Sequence, residues 1–442
     1  MSRLSRVLAG AARMVRPGAS EQSKVESLAR SLLARTQKSA SGYRETRGVL
    51  LGGSFAKGTW IPGHVDLDIF VRIDPSVDED MFEKIGLEVG AAAAKGFPRG
   101  KKYAQHPYTE ALMEGVKANI VPCYAVEKKQ WKSAADRSPF HVDLVRALPE
   151  ETKTQIKLLK LFMKAVGVYG AEIQTQGFSG YAAEVLVMKL RSLQDVLEWF
   201  ADFKPYSKER LFSLKDPVDE GRDLAIAVSD EMVGQMVLAS REFLRSPTQA
   251  FFRRMTGSAR PTLKRSVVAV VFSHARLSED TLWGELRKTS RHLVRHLEVN
   301  GFTIARSLAA SNNADRSAIL LIPERSILPA LEQRVGPTVD RKKDVNAFIS
   351  SNSKSSRLVW VDDAARVRLL RPRKYIRLMD LLEDAARGRS GQVGASRELE
   401  AGMRKSAKVL EGDRLARAAS SSRWLQEGIR EIVRDVLGTR SP

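Results

Sequence analysis

The stretch VLLGGSFAKGTWIPGHVDLDIFVRI, residues 49–73, decides how the rest of the chain is read. Residues 49–51 are a short apolar run stopped by Gly52 and Gly53, and residues 65–73 alternate before Asp74 and Pro75; both predict strands, joined by a turn. In the second strand a period of two sends Val65, Leu67 and Ile69 into a core and Asp66 and Asp68 to the opposite face. Paired like charges call for a cation, and hard oxygen ligands suit Mg²⁺, which bridges carboxylates to phosphates; two acids on a solvated face have the same spacing. Upstream, Gly52, Gly53 and Ser54 favour phosphate, because glycines let backbone amides approach an anion and a serine hydroxyl adds a donor. Residues 53–59 imitate a P-loop, but Gly58 is followed by Thr59 where that motif needs lysine, so it is rejected.

Working outward, residues 81–94 predict a helix and 115–121 a strand ending at Pro122, which makes the region up to 148 α/β with a mixed sheet. Before it, Arg3, Arg6, Arg13 and Arg16 form a basic helix face broken at Pro17 and Gly18, and Val25, Leu28, Leu32 and Leu33 mark the next helix. Residues 149–258 read as helical, with helices over 154–166, 181–200 and 229–244. Residues 259–356 read as strand 266–272, helix 280–298, strands 305–308 and 318–322 and helix 326–334, a small sheet with helices on one face. In 357–442, a hairpin (358–361, 367–370) precedes helices 374–387 and 398–410 around a loop at 388–396, and a last helix, 423–437, ends at Gly438.

The 442 residues suggest roughly three domains. Lys and Arg number 73 against 52 Asp and Glu, a net charge of +21 spread along the chain, which suits a long phosphate backbone better than a membrane surface. A lone Cys123 excludes a disulfide framework and a cysteine-ligated zinc site, so a cytoplasmic location is expected. No window offers the roughly twenty continuous apolar residues of a membrane helix.

Gly-Ser, then twelve positions to Asp-x-Asp on a strand, is the signature of nucleotidyltransferases with a polymerase-β-like palm. The stretches GSFAKGTWIPGHVDLDIF, YAQHPY, IVPCY, RSPFH, LLKLFMKAVGVYGAE, GFSGY and DPVDEGR resemble, in order and spacing, the archaeal class I CCA-adding enzymes (tRNA nucleotidyltransferases), closely through Arg222 and more weakly beyond. The resemblance implies a multidomain α/β fold: a polymerase-β-like head with a mixed sheet, a helical neck, and an α+β body and tail. It implies template-independent completion of the tRNA 3′ end from CTP and ATP by a homodimer, through two-metal Mg²⁺ chemistry in which one ion activates the tRNA 3′ hydroxyl, the other holds the leaving pyrophosphate and the third carboxylate assists deprotonation. It makes Asp66 and Asp68 metal ligands, Ser54 the phosphate-binding serine, and His141, Lys160 and Tyr169 nucleotide-binding residues. Lys57 stands where the family usually has arginine, keeping the charge and losing the bidentate fork. Arg222 falls on the arginine that, with the tRNA backbone, reads the incoming base. The tail, with Arg366, Arg368, Arg371, Arg373 and Lys374 around the hairpin, resembles a clamp for the acceptor and TΨC stems through phosphates.

The residues also carry a reading of their own. Lys157, Lys160 and Lys164 share a helix face, a solvated one at Lys157 and Lys164, and Tyr169 lies in a loop between Gly167 and Gly170, where an aromatic can pack on a base. His292 and His296 have metal-capable spacing without the following Glu of a zinc protease, so an amphipathic helix explains them; His106 is a lesser candidate. The departure is Asn119, which stands where the family's third carboxylate and metal ligand belongs. An amide still ligates but takes no proton at neutral pH, and losing general-base help typically costs about 10²- to 10⁴-fold. A natural change and an engineered substitution explain it equally, and Glu110 and Glu114, read as lying on the other side of the strand's start, are not assigned as substitutes. Three functions compete: CCA addition, another template-independent RNA nucleotidyltransferase, and a non-catalytic binder of tRNA acceptor ends.

Overall fold

A computed structural model of the chain describes residues 2–207, 211–253, 265–390 and 397–435. The described chain divides into two compact units, one on each side of residues 254–264.

In the first unit, helices α1 (Arg3–Met14) and α2 (Ala19–Ala40) flank the break at Pro17 and Gly18, and α2 buries Val25, Leu28 and Leu32. Strands β1 (Thr46–Gly52), β2 (Asp66–Ile73), β3 (Arg99–Tyr103), β4 (Pro107–Met113) and β5 (Val116–Tyr124) form a mixed sheet ordered β1-β2-β5-β4-β3. In it β2 and β5 are parallel and the other pairs antiparallel. A five-residue helix, α3 (Gly53–Lys57), replaces the turn expected after β1. Strand β5 does not stop at Pro122: that proline pairs with Val71 but lies beyond Ile120, the last β5 residue in the β4 register, so its missing N–H breaks no bond to β4. The edge strand β3 was not foreseen because it is exposed almost throughout and carries no apolar alternation. Helices α2 and α4 (Glu79–Ala93) pack over Leu67, Ile69, Val71, Ala118 and Ile120 on one face, which leaves the other face to Asp66, Asp68 and Asn119.

Helices α5 (Ser138–Arg146), α6 (Glu150–Val166), α7 (Gly180–Leu190), α8 (Leu193–Ala201) and α9 (Asp230–Arg245) follow, with Phe162, Phe178, Phe200 and Phe243 in their core. The single helix expected over 181–200 is two: Arg191 at φ 80° turns the chain, and the Ser192 side chain caps α8 by accepting the Asp195 N–H.

In the second unit, β6 (Val268–Ser273), α10 (Glu279–Val299), β7 (Ile304–Ser311) and β8 (Arg316–Pro323) lead to β9 (Leu331–Thr338), α11 (Lys342–Asn352), β10 (Leu358–Val361) and β11 (Arg366–Pro372). Then come α12 (Leu378–Ala386), α13 (Arg397–Ser406), β12 (Lys408–Glu411), α14 (Gly412–Ser420) and α15 (Arg423–Ile432). The strands make two sheets, β12-β6-β8-β7 and β10-β11-β9. Helices cover both faces of the first, not one, because β6 is apolar on both: Val268, Val270 and Phe272 join one core, Val267, Ala269 and Val271 the other. The helix expected over 326–334 is a loop running into β9, since Pro329 denies a helix its donor and β9 pairs with β11. The helix expected over 398–410 ends at Ser406, and β12 pairs with β6. Residues 391–396 of the expected loop, the expected boundary at 258 and 259 and the stop at Gly438 lie outside the described residues.

A buried carboxylate ties the sheet of the first unit to its helices. Glu184 of α7 receives Lys57 Nζ at 2.9 Å, Lys160 Nζ of α6 at 2.7 Å and Thr59 Oγ1 at 2.7 Å. Burial works to raise its pKa, yet the Lys160 and Lys57 ammonium groups hold it down to about 2. Glu184→Ala leaves two buried ammonium groups without their anion and is expected to cost about 3–5 kcal/mol; urea unfolding of the full chain reads this, and an unchanged midpoint would show that the network does not bear on stability.

Candidate active site

Strand pairing assembles a row of polar side chains on the open face. Gly52 pairs with Asp68, Asp68 with Asn119 and Asn119 with Glu110 of β4, while Asp66 pairs with Lys117. Partners directly opposite share a face, so Glu110 lies on the side of Asn119, contrary to the sequence expectation; Glu114 sits apart in the β4–β5 turn at φ 49°. Asn119 Nδ2 donates to Asp68 Oδ1 at 2.9 Å, and Asn119 Oδ1 is buried with no partner among the described residues. Lys117 Nζ lies 2.7 Å from Glu110, and Lys102 Nζ 4.0 Å from the same carboxylate.

Burial raises the Asp66 carboxyl above its ordinary range, opposed by the charges of Lys117 and Lys164. Burial raises Asp68 too, opposed by the hydrogen bond from Asn119 and reinforced by Asp66. Burial disfavours the Lys117 ammonium, but its bond to Glu110 outweighs that and raises its pKa. An exposed carboxylate, Asp66, and a half-buried one, Asp68, beside an orphaned amide oxygen are a donor set suited to a hard divalent cation. Asp66 and Asp68 would hold it, with Asn119 Oδ1 as a neutral third oxygen.

Ser54 is half-buried in the first turn of α3, next to this row. A side chain at Gly53, where φ is +63°, would fall on the Asp68 carboxylate, so glycine is what lets the helix begin there. Lys57 and Lys160 are buried on Glu184, which takes Lys160 out of the face it was expected to share with Lys157 and Lys164. Lys157 and Lys164 are half-buried and not solvated as expected; Lys164 Nζ lies 4.7 Å from the centre of the Tyr169 ring and its charge acts on Asp66. The absent side chain of Gly180 leaves room for the Tyr169 hydroxyl, which a Cβ there would approach to 2.7 Å.

Asp216 is the hub of a second cluster. It bonds His141 Nε2 at 3.0 Å, accepts from the Tyr181 hydroxyl at 3.0 Å, and pairs with Arg222 at 3.3 Å. Burial lowers the His141 pKa against the pull of Asp216. Tyr181 joins the clusters: His141 stacks on its ring at 3.7 Å, and Lys57 Nζ lies 4.8 Å from its centre. Arg222 is exposed and borders a cleft of about 420 Å³ shared with Arg137, Ser179 and Asp219. The candidates of the first unit are thus brought into one connected region. Sequence reasoning missed Glu184, Asp216 and Tyr181, although a glutamate among Ala182, Ala183, Val185 and Leu186 signals a buried charge that needs a partner.

In the second unit, Arg368 pairs with Asp362, Arg371 with Glu332 at 2.7 Å, and Arg373 with Glu332 at 3.2 Å. These three guanidinium groups serve their own hairpin and its surroundings, whereas Arg366 and Lys374 are exposed. His296 bonds Ser390 at 2.9 Å, and His106 lies against Glu83 at 3.4 Å. No helix among the described residues is long and apolar enough to cross a membrane.

Residues 37–141 match the family described as nucleotidyltransferase domain, 154–253 tRNA nucleotidyltransferase, second domain, and 264–412 CCA-adding enzyme, C-terminal domain. The chain is 32% identical to the CCA-adding enzyme of Pyrobaculum islandicum, over 87% of this chain and 94% of that one. It is 31% identical to that of Methanopyrus kandleri, over 98% and 97%, and 34% identical to that of Thermoplasma volcanium, over 75% and 77%. Similarity of this degree across nearly whole lengths, on a chain whose strand β2 carries the paired carboxylates, means that it belongs to the CCA-adding enzyme family.

Proposed function

We propose that this chain builds or repairs the 3′-terminal CCA of tRNA, without a nucleic-acid template, from CTP and ATP. The observation that carries the reading is the register that sets Asp66, Asp68 and Asn119 side by side next to Ser54, in a chain similar to CCA-adding enzymes over nearly their full length. The reaction joins the 3′ oxygen of the tRNA to the α-phosphorus of the nucleotide, and pyrophosphate leaves with the electron pair of the broken P–O bond.

Asp66 and Asp68 hold Mg²⁺, which when bound stabilises charge on the transferring phosphate. Ser54 and the amides at the start of α3 bind the triphosphate. Lys57 and Lys160 share one carboxylate, so two ammonium charges against one leave a net positive charge behind α3 that attracts phosphate from a fixed position. Tyr169 packs against the nucleotide, with Lys164 turned toward Asp66. Arg222, fixed by Asp216 at 3.3 Å and otherwise exposed, reads the Watson–Crick edge of the base with its remaining donors, and His141 is held by the same Asp216. Asn119 accepts no proton, so the proton of the tRNA hydroxyl passes to solvent water. Arg366 and Lys374 contact stem phosphates, and the chain acts as a homodimer in the cytoplasm.

Asp66→Ala is expected to abolish incorporation while leaving tRNA affinity at fixed salt nearly intact; preserved activity would put the site elsewhere. In single-turnover extension of a tRNA lacking CCA, Asn119→Asp is expected to be faster by about 10²- to 10⁴-fold. Equal rates would show that a carboxylate there is not used, and binding without extension by both forms would make the chain a binder of tRNA ends. Arg222→Ala is expected to blur the choice between C and A, read by incorporation with CTP alone and ATP alone; unaltered fidelity would remove its role.

A further inference from the structure

The β5 side of the polar row acts on both carboxylates of β2, by a hydrogen bond to Asp68 and by the charge of Lys117 on Asp66. Asn119 gives its Nδ2–H to Asp68 at 2.9 Å, and Lys117, the register partner of Asp66 on the same face, carries an ammonium held 2.7 Å from Glu110. A pair of divalent cations brings four positive charges into one site, and the ligands between them must be anionic or shared. Here Glu110 is committed to Lys117, with Lys102 4.0 Å away, and Asn119 is neutral. Among the described residues, what remains for metal on this face is two carboxylates and one amide oxygen, a set that suits one ion.

Resting on the nucleotidyl-transfer reading above, we propose that the site holds a single divalent cation between Asp66 and Asp68, and that the Lys117 ammonium supplies, beside Asp66, the positive charge a second cation would bring. A lysine is charged at neutral pH and its three donors rotate to serve several oxygens. It stays in place at any metal concentration. Glu110 is a positioning residue: lying directly across β4 from Asn119, it fixes the ammonium on the catalytic face.

The test is Mn²⁺ electron paramagnetic resonance on the full chain with cytidine 5′-(α,β-methylene)triphosphate and a tRNA lacking CCA, the Asp66→Ala chain serving to subtract ions bound to RNA. The expected result is one site-bound ion with an uncoupled spectrum, and a spin-coupled pair only in the Lys117→Ala, Asn119→Asp double variant. A coupled pair in the unsubstituted chain overturns the proposal, and so does a double variant that still holds one ion. Failure of the nucleotide analogue to bind at all with Mn²⁺ instead overturns the underlying nucleotidyl-transfer reading. In kinetics, Lys117→Ala is expected to lower the incorporation rate by about 10²- to 10³-fold with analogue affinity unchanged, and Lys117→Arg to keep most of it. The Glu110→Gln, Lys117→Gln double variant, which leaves no unpaired carboxylate to disturb folding, is expected to lose rate equally; full rate in either charge-removing variant overturns the role of Lys117.

Discussion

Glu184 fixes the place of almost everything around it in the first unit. It is 1% exposed, yet it stays ionised because two ammonium groups and a threonine hydroxyl converge on it from α3, from Thr59 two residues past the end of that helix, and from α6. Buried charge is costly unless its partners are complete, so these segments hold one relative position or the network fails as a whole. That position sets the start of α3 against Asp68, where Gly53 leaves no room for a Cβ. The same helix α7 carries Tyr181 one turn before Glu184, and through Tyr181 the constraint extends to His141, Asp216 and Arg222. The Glu184 network and the Asp216 cluster are thus linked through one helix.

The open face of the sheet follows a different logic. Strand alternation determines which side chains face outward, and the parallel pairing of β2 with β5 determines which of them meet. Were β5 slipped by one residue, Ala118 and Ile120 would stand in place of Lys117 and Asn119, and the core beneath would lose its apolar floor. The burial of Leu67, Ile69, Ala118 and Ile120 under α2 and α4 therefore specifies the composition of the open polar face as firmly as any contact made on that face.

Much of this was legible in the sequence where chemistry and periodicity agree. The alternation of residues 65–73 gave both the strand and the outward carboxylates, and Gly52 and Gly53 marked the end of β1, though not that a helix follows. What stayed hidden depended on partners distant in the chain. The burial of Lys160 follows from a glutamate 24 residues later, and the position of Glu110 follows from the β4–β5 register, which the unread strand β4 alone defines. In the second unit, local pattern misled: residues 326–334 carry helix-forming side chains, but pairing of β9 with β11 prevails, and residues 408–410 continue a helical pattern that ends because β6 needs an edge partner. Among the tail arginines composition pointed to phosphate, whereas three of the five are neutralised by Asp362 and Glu332, carboxylates that lie within the same fold and have no part in the basic pattern.

Asn119 is where these threads meet. A buried acceptor without a partner costs about 1–3 kcal/mol, and an amide that had merely lost its function would be expected to turn toward a donor or be replaced by an apolar side chain. Its Nδ2 is instead used on Asp68 and its Oδ1 is left unpaired in a sheet that is otherwise well satisfied. Among the described residues that oxygen has no partner, and it lies beside the Asp68 carboxylate. The neutral amide lowers the negative charge of the centre by one unit relative to a carboxylate, and Lys117 lowers it further from the next outward position of the same strand. Lys117 favours the charged form of both aspartates and the Asn119 hydrogen bond favours that of Asp68, so the two outward side chains of β5 act in the same direction.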